Sequence, residues 1–196
     1  MRAALDASGG NPGRAGHRLS IAAAQVVEHA RELVARLLGA PDPSRIVFGP
    51  NATFAINTAL MAVLQPGDRV VTTSVEHNAV MRPLRQLEAQ GVRVEIVPCD
   101  SDGRLDLDDL SRALRPGATW LVCTHASNVL GTVLPIDAMV RLAHAAGARV
   151  LVDASQTAGC VPLDVAALGV DLVAFTGHKA LLGPMGTGGL YIREGL

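Results

Sequence analysis

The chain has 196 residues, 49% of them hydrophobic, with a mean hydropathy of +0.30 and a net charge of −1. That is enough chain for one domain with a substantial core, and it is too apolar to be disordered. A near-zero charge with no basic stripe and no polybasic cluster speaks against nucleic acid and anionic membrane as partners.

Residues 1–16 read as a loop, on Gly9, Gly10, Pro12, Gly13 and Gly16. Over 18–38 the apolar positions Ile21, Val26, Val27, Leu33, Val34, Leu37 and Leu38 fall on one helical face, and Gly39 follows as a C-cap. A strand is predicted over 45–48, then a turn at Gly49-Pro50 and a helix over 53–64 stopped by Pro66-Gly67. From there strands and helices alternate. Strands are predicted over 69–73, 92–97, 119–124, 149–152 and 171–175. Helices fall between them over 79–90, 107–114, 136–146 and 165–168, and a last strand lies over 189–192. Apolar strands alternating with amphipathic helices imply an α/β fold: one domain with a mostly parallel central sheet and helices on both faces.

The N-terminal segment has no apolar h-region, so no secretory signal is read and a cytoplasmic place is expected. The uncharged run Gly117–Ile136 carries His125, Ser127, Asn128, Gly131 and Pro135, which does not suit a membrane span. Cys99, Cys123 and Cys160 lack CxxC spacing and read as free thiols, buried as small residues. No metal is expected.

Open α/β sheets bind ligands at the carboxyl ends of their strands, and polar residues gather there. Glu76-His77-Asn78 follow one strand; His125, Ser127 and Asn128 another; Asp153, Ser155 and Gln156 a third; Thr176, His178 and Lys179 a fourth. Lys179 is the single lysine beside sixteen arginines. A lysine retained there suits work that arginine cannot do, because an amine can lose its proton and bond to an aldehyde. Chance placement of one lysine is the plain alternative.

Asp153 ends a buried apolar run, so its carboxylate must be compensated. It either caps the following segment or pairs with a protonated heterocyclic nitrogen, as pyridoxal phosphate (PLP) requires. The other parts for PLP can be proposed. Lys179 supplies the amine. Asn51-Ala52-Thr53 opens a helix whose free N–H groups, with the Thr53 hydroxyl, suit a phosphate. Thr176 and His178 can complete that cradle, His77 can stack on the ring, and Asn128 and Gln156 can reach its phenolic oxygen. Taken singly, each of these residues also suits a cap or a turn. Nucleotide binding lacks support: there is no G-x-x-x-x-G-K-[ST], and Gly186-Thr187-Gly188-Gly189 lacks dinucleotide spacing.

Seven stretches carry a family resemblance. They are Asn11-Pro12-Gly13-Arg14-Ala15-Gly16-His17, Asn51-Ala52-Thr53 with Ala55-Ile56-Asn57, Glu76-His77-Asn78-Ala79-Val80, and His125-Ala126-Ser127-Asn128-Val129-Leu130-Gly131. The others are Val152-Asp153-Ala154-Ser155-Gln156, Thr176-Gly177-His178-Lys179, and the 183–191 stretch from Gly183-Pro184-Met185 to Tyr191. In these the chain resembles the class V aminotransferase group of fold-type I PLP enzymes, and most closely the cysteine desulfurases. The resemblance implies a three-layer PLP-transferase large domain, with PLP as cofactor and an amino acid, cysteine first, as substrate. It makes Lys179 the Schiff-base lysine and general acid/base, and His77 the stacking residue. Asp153 becomes the pyridine partner, Asn128 and Gln156 the neighbours of the phenolic oxygen, and Thr53, Thr176, His178 and the Ala52 backbone the phosphate contacts. It departs at Ala52, where many relatives carry a hydroxyl residue. It also implies a homodimer, and a sulfur-acceptor protein as partner. Relatives are longer, so the chain is expected to be a partial large domain, without the small C-terminal domain, the carboxylate-binding arginine or the persulfide-forming cysteine. An aminotransferase or amino-acid lyase of the same group, and a non-catalytic PLP-binding fragment, are the alternative readings.

Overall fold

A computed structural model describes residues 2–13, 16–115 and 117–196, and of residues 3–5 the backbone alone. Arg14 and Ala15 of the 11–17 stretch lie outside the described residues.

Strands form at the β-branched and aliphatic runs: β1 Ile46–Gly49, β2 Arg69–Thr73, β3 Arg93–Val97, β4 Trp120–Thr124, β5 Arg149–Asp153, β6 Leu172–Thr176 and β7 Gly188–Ile192. They make one sheet in the order β1-β7-β6-β5-β4-β2-β3. The ladders from β6 across to β3 are all parallel, while β7 runs antiparallel to both β6 and β1. The helices are α1 Arg2–Ser8, α2 Arg18–Leu38, α3 Ala52–Val63, α4 Asn78–Glu88, α5 Leu107–Leu114, α6 Ile136–Ala145 and α7 Val165–Leu168.

Alternation along the strands divides the core in two. Val70, Trp120, Val122, Leu151, Leu172 and Ala174 point to one face and pack against Ile56 and Leu60 of α3 and Val80 and Leu84 of α4. Val71, Leu121, Val150, Val152 and Val173 point to the other, against Leu38 of α2, Leu110 of α5, and Met139 and Val140 of α6. The central strands are buried on both faces, as a parallel sheet requires. The result is a mostly parallel α/β sheet between two helical layers.

Three expectations change. The first eight residues are not all loop, because α1 occupies Arg2–Ser8. The glycine and proline cluster that suggests a loop begins only at Gly9, and Arg2-Ala3-Ala4-Leu5 before it are good helix formers. In α2 the apolar positions do not share one buried face. Ser20, Ala23, Ala35 and Leu38 are buried, while Ile21, Val26, Leu33 and Leu37 stay exposed. This helix lies over the β1 edge of the sheet, which covers a single stripe of it. The cysteines are not uniformly buried either: Cys123 is, Cys99 is half-buried and Cys160 is exposed. Smaller shifts fall at element ends. Arg45 sits in a 3-10 turn, Pro43–Arg45, before β1 rather than in the strand.

Candidate functional site

The carboxyl ends of β2, β4, β5 and β6 and the N-terminus of α3 surround a cleft of about 210 Å³. All nine residues singled out from the sequence line it. Ala52 and Thr53 come from α3, His77 from the start of α4, and Asn128 from the loop after β4. Asp153 and Gln156 come from the end of β5, and Thr176, His178 and Lys179 from the end of β6. Asn51, Ala79, Thr124, Ala126 and Ser155 complete the lining.

The first turn of α3 leaves backbone N–H groups without intrahelical partners. Asn51, the N-cap, satisfies Phe54 by accepting its N–H on Oδ1 at 2.8 Å. The N–H groups of Ala52 and Thr53 remain at the cleft, with the helix dipole behind them. The approach of β7 fixes this helix end. A Cβ on Gly188 would stand 2.7 Å from Asn51 Cα and 2.7 Å from the Phe175 carbonyl oxygen, so only glycine fits. His77 caps α4, with Nδ1 accepting from the Ala79 N–H at 3.0 Å. That bond orients the imidazole beside the cleft.

Asp153 is buried, and its two oxygens differ. Oδ1 accepts from the Ser155 N–H at 2.9 Å and from the Ser155 hydroxyl at 2.5 Å. Among the described residues no hydrogen bond reaches Oδ2. The capping reading and the ligand reading therefore both have an oxygen. Ser155 was noted in the sequence only as one of a polar group; the signal for its role is its place two residues after a strand-terminal Asp, where an Asx turn forms.

Lys179 stands on a tight loop folded back on β6. The Gly177 N–H donates to the Thr187 carbonyl at 2.8 Å, Gly183 N–H to Gly177 at 2.7 Å, and Leu182 N–H to Lys179 at 2.9 Å. Gly177 must lack a Cβ, which would lie 2.2 Å from Thr187 Oγ1. Leu182 takes φ 55°, a left-handed conformation rare for a leucine, to turn this loop. Thr176 Oγ1 and His178 Nδ1 lie 2.9 Å apart and hold one another toward the cleft.

Not every polar residue at the strand ends faces the cleft. Ser127 is spent on the loop, its Oγ accepting from the N–H groups of Val129 and Leu130 at 3.3 and 3.2 Å. His125 is buried, burial lowers its pKa, and its Nδ1 has no partner. Glu76 turns inward beneath the cleft. Burial pushes its carboxyl up to about 8, against the opposing hydrogen bonds from Thr73 and Thr124, with Asp153 adding repulsion. Among the described residues no group of three or more His, Cys, Asp or Glu side chains is placed to hold a metal ion. None of their helices is long and apolar enough to cross a membrane.

The model of the class-V aminotransferase family matches residues 1–196. A probable cysteine desulfurase of Mycolicibacterium paratuberculosis is 41% identical over 186 residues, which is 92% of this chain and 27% of that protein. The cysteine desulfurase IscS of Vibrio atlanticus is 39% identical over 97% of this chain and 48% of its own length. Among solved structures, the apo cysteine desulfurase of Thermococcus onnurineus NA1 superposes with a TM-score of 0.91 at 35% identity, over 98% of this chain and 50% of that one. The chain thus spans about half the length, or less, of the relatives it matches.

Proposed function

This chain belongs to the class-V aminotransferase family, and from that premise we propose that it forms the cofactor-binding large domain of a PLP enzyme acting on an amino acid, as a cysteine desulfurase does. The observation that supports this most is the convergence of nine residues from five separate elements on one cleft that also holds the sole lysine. The donor set suits the cofactor: an amine for its aldehyde, a carboxylate oxygen without a protein partner for its ring nitrogen, and a capped helix N-terminus for its phosphate.

When bound, PLP supplies an electron sink for the charge that develops at the substrate α-carbon. Lys179, whose amine lines the cleft, would hold PLP through its aldehyde and would hold or move a proton at the substrate α-carbon. Asp153 would pair with the ring nitrogen, while Ser155 holds its Oδ1 in place. His77, oriented by the bond from the Ala79 N–H, would stack on the ring. Asn128 and Gln156 orient the phenolic oxygen. Thr53, Thr176, His178 and the Ala52 N–H bind the phosphate, and Ala52 offers no hydroxyl of its own.

None of the three cysteines lines the cleft. Burial raises the thiol of Cys123 well above its ordinary range, which suits packing rather than nucleophilic attack. The work proposed for this chain is therefore cofactor binding and α-carbon chemistry, not the sulfur-accepting step. Cysteine as substrate is supported by the desulfurase relatives and by the similar solved structure described as SspA in complex with cysteine, 29% identical over 99% of this chain. A homodimer, a sulfur-acceptor protein and a cytoplasmic place belong to the same proposal. The exposed apolar stripe Val26, Leu33 and Leu37 on α2 suits a protein contact.

The test is to titrate the purified protein with PLP. A visible absorption band should develop on binding and should be lost in Lys179→Ala. Wild-type protein that develops no such band would refute the reading.

A further inference from the structure

The switch point of the sheet lies between β2 and β4. The chain leaves β2 for β3 on one side and β4 for β5 on the other, so a crevice opens between their carboxyl ends. The ladder joining the two strands runs through Val70 and Trp120, Val71 and Leu121, and Thr72 and Val122. Beyond it a side chain takes over. Glu76 Oε1 accepts the Thr124 N–H at 3.0 Å and the Thr73 hydroxyl at 2.6 Å. Thr124 is paired across the β4–β5 ladder with Asp153, and Glu76 immediately precedes His77. The carboxyl of Glu76 thus links the strand end that carries His77 to the strand pair that carries Asp153. Its Oε2 is out of solvent with no partner, and none of the cofactor contacts described above uses this residue.

We propose that Glu76 is a positioning residue of the cofactor site: its carboxyl ties the ends of β2 and β4 together beneath the cleft and so sets His77 against Asp153. This rests on the PLP reading. The spacing matters because His77 would cover the ring while Asp153 meets its edge; His77 caps α4 after β2 and Asp153 ends β5, and among the described residues no hydrogen bond joins them. The charged and titratable groups that Glu76 feels are Asp153 of β5, together with Cys123 of β4 and Cys99 after β3, whose thiols it helps to raise. Burial shifts the Glu76 carboxyl toward its protonated form, against the hydrogen bonds from Thr73 and Thr124.

The experiment compares PLP affinity and the visible circular dichroism of bound PLP in wild type, Glu76→Gln and Glu76→Ala. Glutamine keeps an oxygen for the Thr124 N–H and the Thr73 hydroxyl, and places an NH₂ where the protonated acid has its O–H. Glu76→Gln should stay within about threefold of wild type with the same dichroism, whereas Glu76→Ala should bind at least about tenfold more weakly with altered dichroism. Loss of packing alone would lower the melting temperature without changing the dichroism. A folded Glu76→Ala protein with wild-type affinity and dichroism overturns the proposal, and so does Glu76→Gln behaving like alanine, which would make charge rather than the tie decisive. If Glu76→Ala does not fold, Thr73→Val removes one side of the tie, and unchanged dichroism in it overturns the proposal. Absence of the band in wild type defeats the PLP reading itself, an outcome separate from any difference among these variants.

Discussion

Glu76 and Asp153 both follow buried strands, and their surroundings give them opposite uses. Asp153 has two donors from Ser155 on one oxygen and the cleft beside the other. Glu76 has two donors on Oε1, an Oε2 shut away from solvent, and Asp153 nearby. Its folded pKa, about 8, stands above the ordinary 4.5. Between pH 4.5 and 8 the unfolded chain gives up this proton while the folded chain keeps it. Glu76 therefore favours folding fully below pH 4.5, and that contribution is lost as pH rises to about 8. The loss accumulates steadily across that window. Urea midpoints measured across it should fall more steeply for wild type than for Glu76→Gln, and equal slopes would contradict the assignment. The sequence shows Glu76 as a charged residue after an apolar run, but not which way it turns. Asp153 and Lys179 were legible because each departs from its background: a carboxylate ending a buried strand, and one lysine among arginines.

At the scale of elements, the N-terminus of α3 carries two duties that can be separated. Asn51 caps the helix by accepting the Phe54 N–H, and it also lines the cleft where an anion is proposed to sit. Aspartate caps as well as asparagine but brings a negative charge. Asn51→Asp should therefore leave the melting temperature within a few degrees of wild type while weakening PLP binding by about tenfold or more. Asn51→Ala should instead cost about 1 kcal/mol of stability. An Asp variant that binds PLP as wild type does would remove the anion site from this helix end. The bounds of the helices over 18–38 and 107–114 match those read from the sequence: Gly39 at φ 65° ends α2 as its C-cap, and Asp106 caps α5 through the N–H groups of Asp108 and Asp109. The buried stripe of α2 was not legible, because a helix with apolar residues on two sides does not say which side meets the sheet.

Across the whole molecule, the strand that leads to Lys179 is anchored at its start by Asp171, which is fully buried. Its Oδ2 accepts the Val150 N–H at 2.7 Å and lies 3.1 Å from His144 Nε2 of α6. Arg193 Nη2, just after β7, approaches Oδ1 at 2.6 Å, an ion-pair contact whose angle falls short of a hydrogen bond. One carboxylate thus ties β5, α6 and the end of β7 at the pole of the sheet opposite the cleft. Asp171→Ala would leave the Val150 N–H buried without this acceptor, at an expected cost of about 2–3 kcal/mol, while Arg193 stays partly in water and adds little. Chemical denaturation would check this; a loss under about 0.5 kcal/mol would show the tie to be idle. The sequence by itself determined the alternation of strands and helices, the mostly parallel sheet, and the polar residues at four strand ends, because periodicity, caps and composition are local properties of the chain. Tertiary structure alone decided that Glu76 bridges β2 to β4 and that Gly188 lets β7 close against Asn51. Each of these depends on atoms far apart in the chain, meeting at distances set by the order of the strands and not by the spacing of the residues.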